Sequence, residues 1–93
     1  MNKVIDNLEQ RRYELQTDAG LAFINYRRSA NVVSMTHAEV PTELQGRGVG
    51  SELVKGALEL VRAQQLKVVP LCPFVAIYIQ RHKEFQGLLV EGA

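Results

Sequence analysis

Three glycines fall within seven residues in the stretch Gln45-Gly46-Arg47-Gly48-Val49-Gly50-Ser51. Short alternating segments typical of strands precede this stretch, and the best amphipathic helix pattern of the chain follows it directly. Glycines at a junction from strand to helix leave backbone N–H groups uncovered at the positive end of the helix dipole. The stretch therefore predicts either a site for a phosphate or pyrophosphate, or a flexible turn without a ligand.

The composition is that of an ordinary soluble globular protein, with 46% hydrophobic and 23% charged residues in a chain of 93. This length suits one modest core, and we expect a single domain over residues 1–93. A net charge of +1 gives no reason to expect a polyanion partner, and no segment resembles a transmembrane helix or a signal peptide. The single cysteine, Cys72, cannot form an internal disulfide. We expect a cytoplasmic protein with no membrane or nucleic-acid partner.

Alternating segments before the glycines predict three strands, over residues 11–15, 21–28 and 32–40. Polar turns join them and favour an antiparallel meander, with a short strand or a loop ahead of it in residues 1–10. In the third strand the period of two places on one face the residues Val33, Met35, His37 and Glu39.

Helix and strand patterns alternate after the glycines. Residues 49–65 predict a helix, in which Gly56 costs about 1 kcal/mol relative to alanine and indicates a close approach, most simply by the sheet. Residues 67–71 predict a strand that contains Pro70, so this strand is an edge or parts from its neighbour there. Cys72-Pro73 begins a second helix, and residues 88–90 favour a last short strand. The order of strands and helices favours an α+β fold.

Two familiar nucleotide-binding loops do not match the glycine stretch. No lysine stands between Gly50 and Ser51, as a Walker loop requires, and the spacing G-x-G-x-G is not that of the dinucleotide fingerprint. Gln45-x-x-Gly48-x-Gly50 instead resembles the Gln/Arg-x-x-Gly-x-Gly/Ala signature of the Gcn5-related N-acetyltransferases, which bind the pyrophosphate of acetyl-coenzyme A. The resemblance implies two parallel strands that splay apart to admit the pantetheine arm, over residues 36–40 and 67–71.

Further segments resemble the YjdJ-type minimal acetyltransferase-like domains of that family. They are His37 to Pro41, Val69 to Val75 and Arg81 to Phe85, with Arg12 to Leu15 and Gly20 to Ala22. The resemblance implies coenzyme-binding residues, of which the backbone near Ala38 and Val40 pairs with the pantetheine amides. Around the pyrophosphate it implies the residues Gln45, Gly46, Arg47, Gly48, Val49, Gly50 and Ser51. The implied coenzyme is a substrate, and no metal is expected.

Three residues are candidates for the chemistry of acetyl transfer. Glu39 stands where many members of the family carry a glutamate base, and His37, two residues earlier, has the type of side chain that suits proton transfer near neutral pH. Cys72 at the start of a helix either accepts the acetyl group, lines the thioester pocket or is simply a small buried residue. Ile79 stands where the family often carries a tyrosine acid, and Tyr78 comes one residue early, which leaves the general acid open.

The function implied by the resemblance is transfer of an acetyl group from acetyl-coenzyme A to an unidentified amine. One alternative is a module that binds coenzyme A or acyl-coenzyme A with little or no transferase activity. A less favoured alternative is an interaction protein that binds nucleic acid through Arg11, Arg12, Arg27 and Arg28. We expect a monomer or a weak homodimer, since a C-terminal edge strand can pair between chains.

Overall fold

The computed structural model describes residues 3–90 and contains one five-stranded sheet whose strands lie in chain order. The strands are β1 (Ile5–Asn7), β2 (Arg12–Thr17), β3 (Gly20–Ser29), β4 (Val32–Glu39) and β5 (Lys67–Pro70). Successive strands from β1 to β4 pair antiparallel, whereas β5 pairs parallel to β4. The predicted α+β class, with an antiparallel meander and one parallel strand, is confirmed.

One α-helix connects β4 to β5, and a second α-helix follows β5. Helix α1 (Val49–Ala63) crosses from β4 to β5, as parallel neighbours require, and it ends two residues before the predicted limit. Helix α2 (Pro73–Arg81) begins with Pro73 at its first position after the N-cap Cys72, as predicted. Short 3-10 turns cover Thr42–Leu44 and Lys83–Leu88. Within residues 3–90, no helix combines the length and the apolar character needed to cross a membrane.

The core lies on one face of the sheet, beneath both helices. Alternate strand residues point into it, because successive side chains of a strand face opposite ways. The buried strand residues are Tyr13, Leu15, Ala22, Ile24, Tyr26, Val33, Met35 and Val68. Helix α1 contributes Leu53, Val54, Ala57, Leu58 and Val61, and helix α2 contributes Val75, Tyr78 and Ile79. Neither helix covers the opposite face of the sheet.

A β-bulge in β4 changes which residues share a face. Asn25 pairs with His37 and the next residue, Tyr26, pairs with Met35, so Thr36 is left without an opposite residue. The hydroxyl of Thr36 donates to the carbonyl of Asn25 at 3.3 Å. Because the bulge inserts one residue into the alternation, the prediction that Val33 and Met35 share a face with His37 and Glu39 is wrong.

The true pairing puts the last residues of β4 on specific sides of the sheet. Ala38 pairs with the buried Ile24 and packs against the core, on the side of the helices. His37 and Glu39 pair with Asn25 and Phe23 and lie on the opposite, open face. The end of β4 thus presents Ala38 to the helix side of the sheet and the two base candidates, His37 and Glu39, to the open face.

Gly56 approaches the segment before β1 and not the sheet itself. A Cβ atom built on Gly56 would lie 2.4 Å from Cγ2 of Val4. The predicted close approach is therefore present, but its partner is Val4, whose side chain occupies the space that a longer residue in α1 would need.

The last short strand predicted over residues 88–90 is reduced to one bridge. Leu88 ends a 3-10 turn, Leu89 forms a single parallel bridge with Val68, and the N–H of Val90 donates to the carbonyl of Val68 at 3.3 Å. The side-chain amide of Gln86 donates to the carbonyls of Ile79 and Gln80. These side-chain bonds hold the segment as a turn against α2, so only its end reaches β5.

Candidate functional site

The glycine stretch forms a tight connection from the 3-10 turn to α1. Gly46 and Gly48 have φ values of +84° and +81°, in the left-handed region that glycine adopts at little cost. Gly48 is the N-cap of α1, and its carbonyl accepts the N–H of Glu52 at 3.0 Å. The N-cap has no side chain, so the first turn of the helix stays open to an outside acceptor.

Five backbone N–H groups in this connection have no acceptor among the residues that the structure describes. Flanking donors are used, since the N–H groups of Leu44, Gln45 and Arg47 each bond to a nearby carbonyl. The groups without an acceptor belong to Gly46, Gly48, Val49, Gly50 and Ser51. Unpaired donors gathered at the positive end of a 15-residue helix are the arrangement that binds a phosphate or a diphosphate.

Four of these donors, all except that of Val49, belong to residues that line a cleft of about 330 Å³, which we call the glycine cleft. It lies between the glycine connection, the end of β4 and the start of α2. Its lining comprises Val40, Leu44, Gln45, Gly46, Gly48, Gly50, Ser51 and Phe74. The side-chain amide of Gln45 donates to the carbonyl of Val40 at 3.4 Å, which ties the loop to the strand. Of the predicted coenzyme-binding residues, the cleft thus collects Val40, Gln45, Gly46, Gly48, Gly50 and Ser51, while Ala38, Arg47 and Val49 lie outside its lining.

Phe74 is a member of this cleft that sequence reasoning missed. It is the second residue of α2 and is 45% exposed. A Cβ on Gly50 would lie 2.7 Å from Cζ of Phe74, so the ring occupies the space that the missing side chain leaves. The third glycine of the stretch was the available signal, because a glycine inside a helix pattern indicates a close neighbour.

The edge of β4 opens next to the cleft. β4 and β5 pair from Val32 with Lys67 to Met35 with Pro70, and no strand pairing with β5 continues beyond this point. The N–H of Cys72 donates to the carbonyl of Met35 at 3.0 Å and forms the last described backbone link across the gap. The parting of the two strands follows Pro70, which cannot donate to the ladder.

Cys72 stands at the mouth of this gap, as the N-cap residue of α2. It is 7% exposed, and its thiol makes no capping hydrogen bond. Its carbonyl accepts the N–H of Ala76 at 3.0 Å, so backbone bonds on both sides hold the residue. The backbone of Cys72 is therefore held in place two residues after the end of β5.

His37 and Glu39 lie together on the open face of the sheet. Nε2 of His37 is 3.7 Å from Oε2 of Glu39, and the two side chains are 58% and 61% exposed. Neither bonds to Cys72 within residues 3–90. The structure therefore brings the two base candidates into contact with each other but keeps them apart from the cysteine and from the glycine cleft.

The position at which the family often carries a tyrosine is filled by a core residue. Ile79 is 2% exposed, and the neighbouring Tyr78 stacks on the ring of His82 with centroids 3.9 Å apart. Burial, followed by the carboxylates Glu84 and Glu59, raises the pKa of Tyr78 above its usual value. His82 closes the end of α2, since its Nδ1 bonds to the carbonyl of Tyr78 at 2.7 Å and its N–H donates to Ile79.

Comparison with known proteins identifies the family. A family model described as GCN5-related N-acetyl-transferase matches residues 12–88. Protein NATD1 from Homo sapiens is 33% identical over 51 residues, which cover 55% of this chain and 45% of that protein. Protein NATD1 from Gallus gallus is 33% identical over the same length and 46% of it is covered. The chain spans about half the length of these curated relatives.

A solved structure supports the same assignment across the whole fold. The solution NMR structure of a GCN5-like protein from Staphylococcus aureus superposes with a TM-score of 0.72 at 26% sequence identity. The match covers 95% of this chain and 87% of that protein. The glycine connection at the start of α1, the parted β4 and β5 and the match over residues 12–88 agree, and the chain belongs to the GCN5-related N-acetyltransferase family.

Proposed function

We propose that this chain binds acetyl-coenzyme A and transfers its acetyl group to an amine acceptor. The observation that carries the proposal is the set of backbone N–H groups without a described acceptor, from Gly46 to Ser51, beside the open edge of β4. A diphosphate satisfies several such donors at once and is favoured further by the dipole of α1. Family membership supports the same ligand.

The chain offers a binding path that continues from the cleft to the gap between the strands. Val40 borders the glycine cleft, and Ala38 packs on the same side of the sheet. At these residues the edge of β4 has no partner strand. We expect its backbone to form hydrogen bonds with the amide groups of pantetheine, in place of the bonds that a neighbouring strand would make. Arg47 is an exposed residue of the glycine connection, and its guanidinium group is available to bind a phosphate. The bound coenzyme supplies an activated thioester at the gap.

One route transfers the acetyl group directly to the amine. The attacking amine must lose a proton, and we propose Glu39 or His37 as the acceptor of that proton from an amine on the open face of the sheet. Their exposure is consistent with an acceptor that arrives from solvent. The base lies on one side of β4 and the acetyl thioester on the other. The two can therefore meet only in the gap, where β5 no longer pairs with β4.

The other route passes through Cys72. Its Sγ forms a bond to the acetyl carbon as the carbon–sulfur bond of the donor breaks, and the thiol proton goes to the released thiolate. The amine nitrogen then attacks the carbonyl carbon of the acetyl group on Sγ, so that a carbon–nitrogen bond forms, the carbon–Sγ bond breaks and the released Sγ takes up the proton that the amine loses. The fixed position of Cys72 at the gap, held by its bond to Met35, supports this assignment.

A second candidate function is binding of coenzyme A or acyl-coenzyme A without efficient transfer. The observation in its favour is the buried Ile79 at the position of the family's tyrosine, together with Tyr78 enclosed by His82 and Phe85. These residues leave the departing thiolate without the usual acid. Binding and transfer therefore need separate measurements.

Binding is tested by thermal unfolding with coenzyme A, and pantetheine, which lacks the diphosphate, serves as the matched ligand. We expect coenzyme A to raise Tm with a stabilisation of about 2.7 kcal/mol at a hundredfold excess over Kd, and pantetheine to do much less. Equal Tm values with and without millimolar coenzyme A would contradict both candidate functions.

Transfer is tested by thiol release from acetyl-coenzyme A in the presence of polyamines and lysine peptides. Cys72→Ala abolishes turnover and acetyl labelling of the chain if the covalent route operates, whereas Glu39→Gln and His37→Gln lower turnover and alter its pH profile if the direct route operates. Glu43→Gln, an exposed carboxylate ahead of the loop, is the control. Binding without release for every acceptor would favour the second candidate function.

A further inference from the structure

We propose that a second cleft, at the other end of the sheet from the glycine connection, docks an acidic segment of a partner protein. We call it the arginine cleft, and its lining consists of Leu8, Arg11, Tyr26, Arg27 and Arg28. Its volume is about 510 Å³. The proposal does not depend on acetyl transfer, since no residue of the arginine cleft belongs to the glycine cleft or to the gap.

The arginine cleft is remote from the candidate active site. Arg27 and Arg28 lie near the end of β3 and pair with Ser34 and Val33 near the start of β4. Glu39 lies six residues beyond Val33, which corresponds to about 20 Å along an extended strand. A ligand in the arginine cleft therefore does not reach the gap, and the cleft suits recognition of a partner.

The charge of this cleft is not neutralised by the described part of the chain. Arg11, Arg27 and Arg28 are exposed, and none of them forms an ion pair within residues 3–90. Arg12 differs, because it pairs with Glu14 and lies over the ring of Phe23. The cleft thus gathers three guanidinium groups without a carboxylate partner among residues 3–90, of which that of Arg28 donates from Nε to the carbonyl of Ala30 at 3.3 Å. Guanidinium groups can bind carboxylates in bidentate fashion.

One carboxylate beside the cleft is already bonded to its wall. Asp6 accepts a hydrogen bond from the hydroxyl of Tyr26 at 2.7 Å. This bond joins β1 to β3 across β2. Because this wall is already formed, docking has to order only the side chains of the arginines and the bound segment.

One of the three arginines, Arg11, has an unfavourable backbone conformation that a hydrogen bond fixes in place. Arg11 has a φ of +55°, a left-handed conformation that costs a non-glycine residue about 1 kcal/mol. The N–H of Tyr26 donates to the carbonyl of Arg11 at 3.0 Å and fixes this turn against β3. Asparagine or glycine would adopt the same conformation at lower cost, so the arginine is not there for the stability of the turn.

The surroundings favour an acidic peptide over a nucleic acid. The Tyr26 ring is buried and packs on Tyr13 with centroids 4.9 Å apart, so it offers no face on which a base can stack. Leu8, which lines the cleft, is instead 69% exposed. Arginine beside an exposed apolar side chain is typical of protein interfaces, so we expect the docked segment to contain acidic residues interleaved with apolar ones.

The test measures binding of a short fluorescein-labelled peptide of Asp, Glu and Leu by fluorescence anisotropy. The matched peptide carries Asn and Gln in place of the acids, and labelled oligo-dT is the competing probe. We expect the full chain to prefer the acidic peptide by about tenfold or more and to lose this preference at high salt. Equal binding of both peptides, or binding of oligo-dT alone, would overturn the proposal.

Variants separate docking from folding. Arg27→Glu with Arg28→Glu should weaken the acidic peptide by about tenfold or more, whereas Arg81→Glu with Lys83→Glu, an equal charge change at exposed residues outside the cleft, should not. Arg11→Asn should weaken the peptide while Tm stays the same or rises, because the turn is relieved of strain. Unchanged peptide affinity in both cleft variants would refute the proposal. Coenzyme A should still raise the Tm of both variants, and this separate measurement tests the proposed function and not the docking.

Discussion

At the scale of single residues, the candidate coenzyme site depends on a contact between a glycine and an aromatic ring. Gly50 belongs to the first turn of α1, and Phe74 to the first turn of α2. The ring fits only because Gly50 has no Cβ, and Val40 lies 3.6 Å from the same point. The start of α1, the start of α2 and the residue after β4 thus come into contact at Gly50.

Gly50→Ala is expected to disturb both stability and ligand binding. The new Cβ would lie 2.7 Å from Cζ of Phe74, and relief of such overpacking typically costs about 1–3 kcal/mol. The displaced ring also enters the space beside the free N–H groups, so the Kd for coenzyme A should rise. Chemical denaturation and calorimetric titration measure the two effects.

The matched control for this variant is Gly87→Ala. Nothing lies within 4 Å of a Cβ at Gly87, and we expect a change of no more than about 0.5 kcal/mol there. In a double-mutant cycle, Phe74→Ala should remove most of the penalty of Gly50→Ala. Additive effects of the two substitutions would show that the ring does not limit the loop.

Tyr26 is expected to make stability depend on pH in the alkaline range. Burial, together with the bond to Asp6, raises the pKa of Tyr26 from 10.0 to about 12. The unfolded chain therefore releases this proton at a lower pH than the folded chain does. Its contribution to the free energy of unfolding is complete below pH 10 and is lost as the pH rises toward 12.

Comparison with Tyr26→Phe isolates this contribution. The variant loses the hydroxyl and the bond to Asp6, which costs about 1 kcal/mol near neutral pH. The stability difference between the wild type and Tyr26→Phe should shrink between pH 10 and pH 12 in denaturation curves. A difference that stays constant or grows over this range would contradict the assignment.

At the scale of elements, the order of strands and helices was predictable and one strand face was not. The alternation in residues 21–28 and the helical spacing after Gly48 report local periodicity, which the sequence carries directly. The bulge at Thr36 arises from the pairing of β4 with β3, because an extra residue is visible only against its partner strand. For that reason His37 and Glu39 were correctly placed beside each other but on the wrong face.

Contacts between distant elements were equally hidden. Gly56 indicated a close neighbour, yet only the folded chain identifies Val4, from the far end of the sequence. The role of Phe74 depends in the same way on a contact with Gly50. The loop itself was predictable because its donors and its helix are adjacent in sequence, which explains why Gln45 to Ser51 stood out first.

The helix α1 supplies a test of the packing against Val4. Gly56→Ala gains about 1 kcal/mol in helix propensity, but its Cβ would lie 2.4 Å from Cγ2 of Val4. We expect net destabilisation by about 1–2 kcal/mol in urea denaturation, since the segment before β1 must move. Glu59→Ala on the same helix, whose side chain lies on its outer face, is the control, and a stabilised Gly56→Ala would refute this packing.

At the scale of the whole molecule, the fold separates three surfaces. The glycine cleft lies on the helix side of the sheet, the pair of His37 and Glu39 lies on the open face, and the arginine cleft lies at the opposite end of β3 and β4. The gap that follows Met35 and Pro70 is the place where the first two surfaces meet. The proposed function places the coenzyme on the helix side of this gap and the amine acceptor on the open face.

The central claim is that backbone donors of the glycine connection hold the diphosphate of coenzyme A. The most direct measurement is a titration of the ¹⁵N-labelled chain with coenzyme A, followed by amide NMR. We predict saturable shifts of the amide signals of Gly46, Gly48, Val49, Gly50 and Ser51, with the signal of Gly87 unchanged. Binding that leaves those five signals in place, or no saturable shift anywhere at millimolar coenzyme A, would contradict the account.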